Sequence, residues 1–500
     1  MSDSGVAQVD TGRQEPVAGT VLARTLIVYA LFLLQLAAAL AATAILTRRL
    51  SVLDFGSLNY LLAICDVGMV LLGFGLHNYI IREVAQNANV GLILRSTWTF
   101  VAANCLLVVP LVFLGARSDP IIRRLGWGVL VPLVVAQLVT LGGAWLLNVL
   151  TGRQHVVRAT ALGILQTVFY IGLLLVIEAT RGALDPTGVA WAMCVAAVLG
   201  TGVTVAANWS FVTEAVAARP LPIGTRYVQL LHFGWPFFLA SAAGVVITRA
   251  SFPIIRFLGN PGDLGDLGLV DRVVLPLNLG VTALIQVAYP ILSRQMLEAR
   301  DRAVDFVLRA TRISVAIAVW VCAGAVLFAV PAVDLVFGSM YRGTALPLAI
   351  GTGKFIVYPV LCLMGALMNA AGLERRLQAL SWLGVLVNVG LFLLLGPPFG
   401  VAGIASGFVV ADAITLGLVL WALAGLIPAG AVLSTYARTL AAAVLLVVPA
   451  CLVPLMAARA TVFVVLSVVY VWVLLRMGVI ARSDLQAVRR LGRVILKRWE

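Results

Sequence analysis

The chain has 500 residues, of which 62% are hydrophobic and only 11% charged, with a mean hydropathy of +1.06. A soluble chain is about half apolar and about a quarter charged, so a soluble enzyme, a disordered scaffold and a secreted disulfide module are excluded. The 35 Lys and Arg exceed the 21 Asp and Glu, for a net charge of +14. They are scattered through short connections rather than gathered on one face, which excludes a nucleic-acid binder and points to membrane topology.

In chain order, residues 1–24 form a polar tail with no cleavable signal. Fourteen apolar runs follow, at 25–46, 57–76, 97–115, 127–150, 159–178, 187–207, 232–255, 267–292, 312–332, 345–369, 376–396, 400–425, 437–456 and 460–480. Each is near the ~20 residues that cross ~30 Å of hydrocarbon. The runs are continuous rather than alternating, so they predict helices and not a barrel. The fold class expected is an all-α polytopic membrane protein of about 14 transmembrane helices. With the N-terminus inside, and with Arg312, Arg376 and Arg438 at the inner ends of their runs counted inside and Arg272 near the outer end of its run counted outside, the inside segments carry 22 Lys and Arg and the outside loops 10, which predicts two cytosolic termini.

The longest connections, 77–96, 208–231 and 293–311, leave no room for a soluble catalytic domain. The chain therefore reads as a non-enzyme, and membrane polymerases, ligases and glycosyltransferases with outward active-site loops are disfavoured. The six cysteines lie in apolar runs without a C-x-x-C pair, and His77, His155 and His232 are far apart. Metal and disulfide chemistry have no support, and no cofactor is expected.

Two halves of the chain match at one offset. Asp54-Phe55-Gly56 pairs with Asp266-Leu267-Gly268, Arg82 with Arg294, and Gly188-Val189-Ala190 with Gly400-Val401-Ala402, each 212 residues apart. The repeat is six spans long, an even number, so the copies are parallel and a site is expected between them. The organisation predicted is an N-lobe at 25–207 (helices 1–6), a cytosolic linker at 208–231 and a C-lobe at 232–425 (helices 7–12). An appended helix pair at 437–480 and a basic tail at 481–500 complete it.

An ionisable group at the centre of a span costs about 2.5–3.5 kcal/mol on insertion scales, so each needs a reason. Asp66 lies halfway along span 2, Asp412 halfway along span 12 and Lys354 near the middle of span 10. Arg249 falls in the outer third of span 7, with Arg256 near its outer end. Arg476 and Glu178 sit at span ends and reach the interface by snorkelling, a reading open to Arg256 as well. Asp412 and Lys354 share a depth, so mutual neutralisation stands beside a functional role, and Asp66 could be a protonated helix contact. Arg249 cannot lose its charge, and Pro253 loosens the helix beside it, so a water-filled cavity is expected there. In the functional reading Arg249 and Lys354, with Arg256, make a cationic patch for phosphate or pyrophosphate. Asp66 and Asp412 then balance that charge or titrate with a coupling proton. Asn278, Gln286 and Asn369 either hydrogen-bond sugars or bridge helices.

Gly353-Lys354 lacks the first glycine and the Ser/Thr of a phosphate-binding loop, so ATP has no support as a partner. Asn208-Trp209-Ser210 fits a glycosylation sequon on the wrong predicted side. Pro110, Pro132, Pro276, Pro359 and Pro449 fall within spans, tolerated there or used for bending. In the tail from Ala481 to Glu500, Leu485, Val488, Leu491, Val494, Ile495 and Trp499 recur at helical spacing among Arg489, Arg490, Arg493, Lys497 and Arg498. This predicts an amphipathic helix on anionic membrane lipids, with docking on a cytosolic protein as the alternative. A solvated amphipathic helix is also expected from Leu297 to Arg312, leading into span 9.

The segments Leu50-Ser51-Val52-Leu53-Asp54-Phe55-Gly56, Gly73-Phe74-Gly75-Leu76, Ile81-Arg82-Glu83 and Phe233-Gly234-Trp235-Pro236 occur in order. Phe257-Leu258-Gly259, Tyr289-Pro290, Val336-Phe337-Gly338 with Tyr341, Asn369-Ala370-Ala371-Gly372 and Gly400-Val401-Ala402-Gly403 continue the series. In this pattern, over residues 20–480, the chain resembles the polysaccharide (lipid-linked oligosaccharide, Wzx-type) flippases. Their superfamily also includes multidrug and toxin extrusion transporters and lipid II flippases. The resemblance implies two six-helix lobes in a V around a central cavity. It implies export of a polyprenyl-pyrophosphate-linked oligosaccharide across the cytoplasmic membrane by alternating access, in company with polysaccharide biosynthesis enzymes. Cationic cavity residues in such proteins are implicated in binding the anionic head, and Arg249 and Lys354 are the candidates here. A proton or sodium drive is typical of the superfamily, with Asp66 and Asp412 as titrating groups. Similar chains often carry an acid in span 7 where this one has Arg249. The alternatives are an ion-coupled drug antiporter with an acidic cavity, a lipid II flippase, and a membrane scaffold that recruits enzymes through its tail.

Overall fold

The computed structural model describes residues 15–86, 89–218, 223–258 and 262–481. The regular elements of these residues are helices. The first half holds α1 (Glu15–Arg49), α2 (Val52–Gly73), α3 (Leu76–Ala85), α4 (Val90–Ser118), α5 (Pro120–Leu125), α6 (Trp127–Gly152), α7 (Val156–Arg181), α8 (Pro186–Ala207) and α9 (Trp209–Ala217). The second half holds α10 (Ile223–Arg249), α11 (Ser251–Leu258), α12 (Asp263–Glu298), α13 (Arg300–Val336), a 3-10 turn (Ser339–Thr344), α14 (Ala345–Thr352), α15 (Lys354–Ala370) and α16 (Glu374–Ala422). α17 (Ala429–Cys451) and α18 (Met456–Arg476) follow.

Local chemistry sets several of these boundaries. Ser51 caps α2 by accepting from the Asp54 amide at 3.1 Å, and Asp119 and Asp185 cap α5 and α8, each followed by a proline at the first helical position. Among the described residues, twelve helical segments are long and apolar enough to cross a membrane. One of them, α16, is two spans fused at Gly400, whose φ of 55° and ψ of −135° break the helix just after Pro397-Pro398. With that break, and with the 36-residue α12, the chain makes fourteen traverses.

The connections are more ordered than the apolar runs suggest. α9 and the start of α10 lie within the expected linker 208–231, because Phe211 and Ala215 give that stretch an apolar face. α9 packs on α4, where Arg95 donates to the Val216 carbonyl at 2.9 Å. The helix expected at 297–312 is the start of α13, continuous with its span, and the chain breaks instead at Ala299. The basic tail at 482–500 lies outside the described residues, as do the side chains of Asn278 and Gln286.

Among the first-half helices, α6 packs on α7 and α8, α1 on α7, and α2 on α4 and α6. Among the second-half helices, α15 packs on α12, α13 and α16, while α17 and α18 pair with each other beside α13. α10 crosses between the groups: it contacts α2, α3 and α4, and with α11 it reaches α16. The face where the chain enters α1 is called near, and the opposite face far.

The far-face ends of α2 and α12 meet backbone to backbone. A Cβ added at Gly56 would fall 2.4 Å from the Gly265 nitrogen, and one added at Gly265 would fall 2.4 Å from the Val52 carbonyl oxygen. Only glycine permits that approach. Around this seam Arg48 Nε donates to the Val336 carbonyl at 3.0 Å, joining the end of α1 to the end of α13. Phe55 and Tyr341 pack edge-to-face with centroids 5.9 Å apart.

Candidate functional site

Below the seam lies a cavity of about 560 Å³, lined by α1, α2, α6, α7, α8, α10 and α12. Its lining runs from Asn59 and Arg272 near the far-face seam to Leu147, Leu162 and Thr204 in the near-face halves of α6, α7 and α8. Gly143 and Gly200 let α6, α7 and α8 approach closely, since a Cβ there would press on Thr201 and Gln166 respectively.

All the charge on this lining is at one end. Arg249 stands at the junction of α10 and α11, where its Nε meets Asp66 Oδ2 at 2.8 Å and its Nη1 meets Asp271 Oδ2 at 2.5 Å. Asp66 belongs to α2 and Asp271 to α12, so one guanidinium ties three helices across the seam. Gln137 Nε2 also donates to Asp66 Oδ1, at 3.1 Å. Arg272, the next residue on α12, turns to a different partner: its Nε donates to Asn59 Oδ1 at 2.8 Å, and its guanidinium carbon lies 5.7 Å from the Phe55 ring centroid. Among the described residues no carboxylate pairs with it. Within its electrostatic reach is Tyr170, whose buried hydroxyl has no hydrogen-bond partner. The end of the cavity thus holds two arginines and two aspartates, formally balanced, with one arginine fully engaged by acids and the other not.

The structure joins Asp66 with Arg249 and, elsewhere, Lys354 with Asp412. Lys354 and Asp412 pair with each other at 3.8 Å, both buried. The ammonium lies 4.7 Å from the Phe408 ring centroid and 5.4 Å from that of Tyr358. Lys354 lines a separate pocket of about 30 Å³, shared with Asp271, Thr248 and Phe408. Asp271 therefore stands between the two cavities, and Arg249 and Lys354 do not form one cationic patch. Arg256, on α11, lines neither pocket and lies near Tyr60. Glu178, expected to snorkel, pairs with Arg49. Asp271 and Arg272 are the functional residues that sequence reasoning missed. The 212-residue offset was the available signal: it places Asp271 opposite Asn59, and the two copies meet at the seam.

A charged, helix-lined cavity between packed apolar segments marks a multi-pass membrane protein with a polar central site. The chain belongs to the polysaccharide biosynthesis protein family, whose model matches residues 22–296, more than half of its length. The fold is that of a lipid II flippase, MurJ, in an inward closed conformation, with a TM-score of 0.62 at 10% identity over 90% of this chain and 99% of that one. It is similar also to an inward-facing multidrug resistance MATE family transporter, at 0.58 and 16% identity over 80% and 98% of the two chains. The Vibrio cholerae MATE transporter VcmN in its bent form matches at 0.55 and 16% identity, over 84% and 99%. No curated protein matches the chain at a significant level.

Proposed function

We propose that the protein is a flippase that carries a polyprenyl-pyrophosphate-linked oligosaccharide across the cytoplasmic membrane for cell-surface polysaccharide assembly. The observation that carries this reading is Arg272, a cavity cation whose partner is the neutral Asn59 and within whose electrostatic reach lies the unpartnered Tyr170 hydroxyl. Guanidinium and phenol together suit a phosphate oxygen. The excess of Lys and Arg makes the near face cytosolic, so the cavity is sealed outside and extends inward, the loading state. The working division is an N-lobe at 25–207 and a C-lobe at 232–425, with helices at 437–480 appended and the tail at 481–500 on the anionic leaflet.

The anionic head enters from the cytosol, and its pyrophosphate meets Arg272 and Tyr170. It also competes with Asp66 and Asp271 for Arg249. A ligand shifts a conformational equilibrium only by binding its states unequally, and this competition supplies the difference. Freeing Arg249 from Asp66 unties α2 from α10, and freeing it from Asp271 unties α10 from α12. The seam then loosens and the lobes rock outward. The released carboxylate is open to a coupling proton or sodium ion. A drug antiporter would need an excess of acid at the cavity, whereas the four charges here balance.

The test is a lipid extraction from a deletion strain with surface polysaccharide assayed alongside. Accumulated pyrophosphate-linked oligosaccharide with surface glycan lost is expected, restored by the wild-type gene and not by Arg272→Gln. Unchanged lipid-linked pools with new sensitivity to cationic drugs would move the assignment to the antiporter.

A further inference from the structure

The rest of the cavity surface has a different chemistry from its charged end. All four charged lining residues stand on α2, α10 and α12. Among the described residues the wall contributed by α1, α6, α7 and α8 carries no charged side chain; set among alanines, glycines and leucines, its polar groups include Gln35, Gln137, Thr140, Gln166, Thr201 and Thr204. Gln137 spends a carboxamide N–H on Asp66 at 3.1 Å, and Gln166 spends one on Thr140 Oγ1 at 3.0 Å. Each keeps a carbonyl oxygen to accept from a hydroxyl. Thr204 turns its own hydroxyl back to the Gly200 carbonyl at 2.9 Å, which leaves its oxygen as an acceptor.

From this asymmetry we infer that the wall of α1, α6, α7 and α8 is the glycan subsite and that it selects an uncharged oligosaccharide. The inference rests on the flippase reading and specifies its substrate class. Gln and Thr side chains pair with neutral hydroxyls at little desolvation cost. A carboxylate-bearing sugar laid on the same wall would lose water without gaining a cation. The cations lie at the other end of the cavity, where the pyrophosphate takes them. A volume of about 560 Å³ falls inside the ~300–1,000 Å³ of small-molecule sites, so the wall reads the few sugars next to the lipid, not a long chain.

The same residues also bridge helices: Gln166 to Thr140 joins α7 to α6, and Thr201 donates to the Val139 carbonyl at 3.2 Å, joining α8 to α6. The test separates bridging from recognition. Full-length protein in nanodiscs is titrated with a short-chain polyprenyl diphosphate that carries no sugar, a neutral disaccharide, or a disaccharide ending in a hexuronic acid. The neutral disaccharide should bind about tenfold tighter than the bare lipid, the worth of one or two net hydrogen bonds, and the hexuronic acid should remove that gain. Thr140→Val and Gln166→Leu should erase the gain while leaving bare-lipid affinity intact, and Thr140→Ser, which retains the hydroxyl, should preserve it. If the neutral and acidic glycans bind alike, or the variants lower only thermal stability, the wall is structural and the inference falls while the flippase reading stands. If the bare lipid diphosphate itself fails to bind, both fall together.

Discussion

At Lys354 an ammonium lies 3.8 Å from a single carboxylate in a nearly solvent-free site, with Asp412 Oδ2 lacking any hydrogen bond of its own. Such a pair adds little net stability, yet removing one partner strands a buried charge at a cost of about 3–5 kcal/mol. Lys354→Met and Asp412→Asn should each lower the unfolding temperature in detergent. Lys354→Met combined with Asp412→Leu should recover much of that loss, because no charge is then stranded, and additive losses would contradict the assignment. These residues were legible in the sequence, as were Asp66 and Arg249, because a lone ionisable group in a long apolar run has few neutral explanations. Asp271 and Arg272 were not. They lie in the first two turns of the run at 267–292, close behind Asp263 and Asp266, where charge at a span end is usual. Only the start of α12 at Asp263 places them more than two turns inside a helix.

At the scale of elements, the seam depends on α2 and α12 touching without side chains between them. Gly265→Val would drive a branched side chain into the Val52 carbonyl, and the seam must open to receive it. Cysteine accessibility at the cavity should therefore rise from the outer face in this variant, read with a membrane-impermeant thiol reagent on a cysteine placed at Thr43 in a background lacking the six native cysteines. Unchanged labelling would mean that the α2–α12 contact does not close the cavity. The sequence offers a 212-residue offset as the sign of a repeat, parallel by the count of spans. That α2 and α12 meet backbone to backbone was not visible, since a sequence offset does not say how segments dock. The linker helix α9 was missed for a related reason: its apolar face is defined by α4, a tertiary partner.

At the scale of the molecule, the span count followed from hydropathy alone; of its two weak breaks, that at 396–400 is resolved by the backbone of Gly400 and that near 457–459 by the end of α17 at Cys451. The route of α10 across both groups of helices was not legible. It explains why Arg249 is central: this side chain sits on the helix that touches both groups and bonds to an acid on α2 and an acid on α12. The cavity is correspondingly lopsided, with its neutral wall in the first half of the chain and its unneutralised cation on α12. The direct measurement of this account is transbilayer movement in proteoliposomes. The purified protein is reconstituted with a short-chain polyprenyl diphosphate bearing a neutral disaccharide, and the fraction of sugar protected from an external lectin is followed with time. The account predicts movement well above that of protein-free vesicles, and near-background rates for Arg272→Gln that retains its thermal stability. Movement equal to that of empty vesicles, or undiminished in Arg272→Gln, would contradict it.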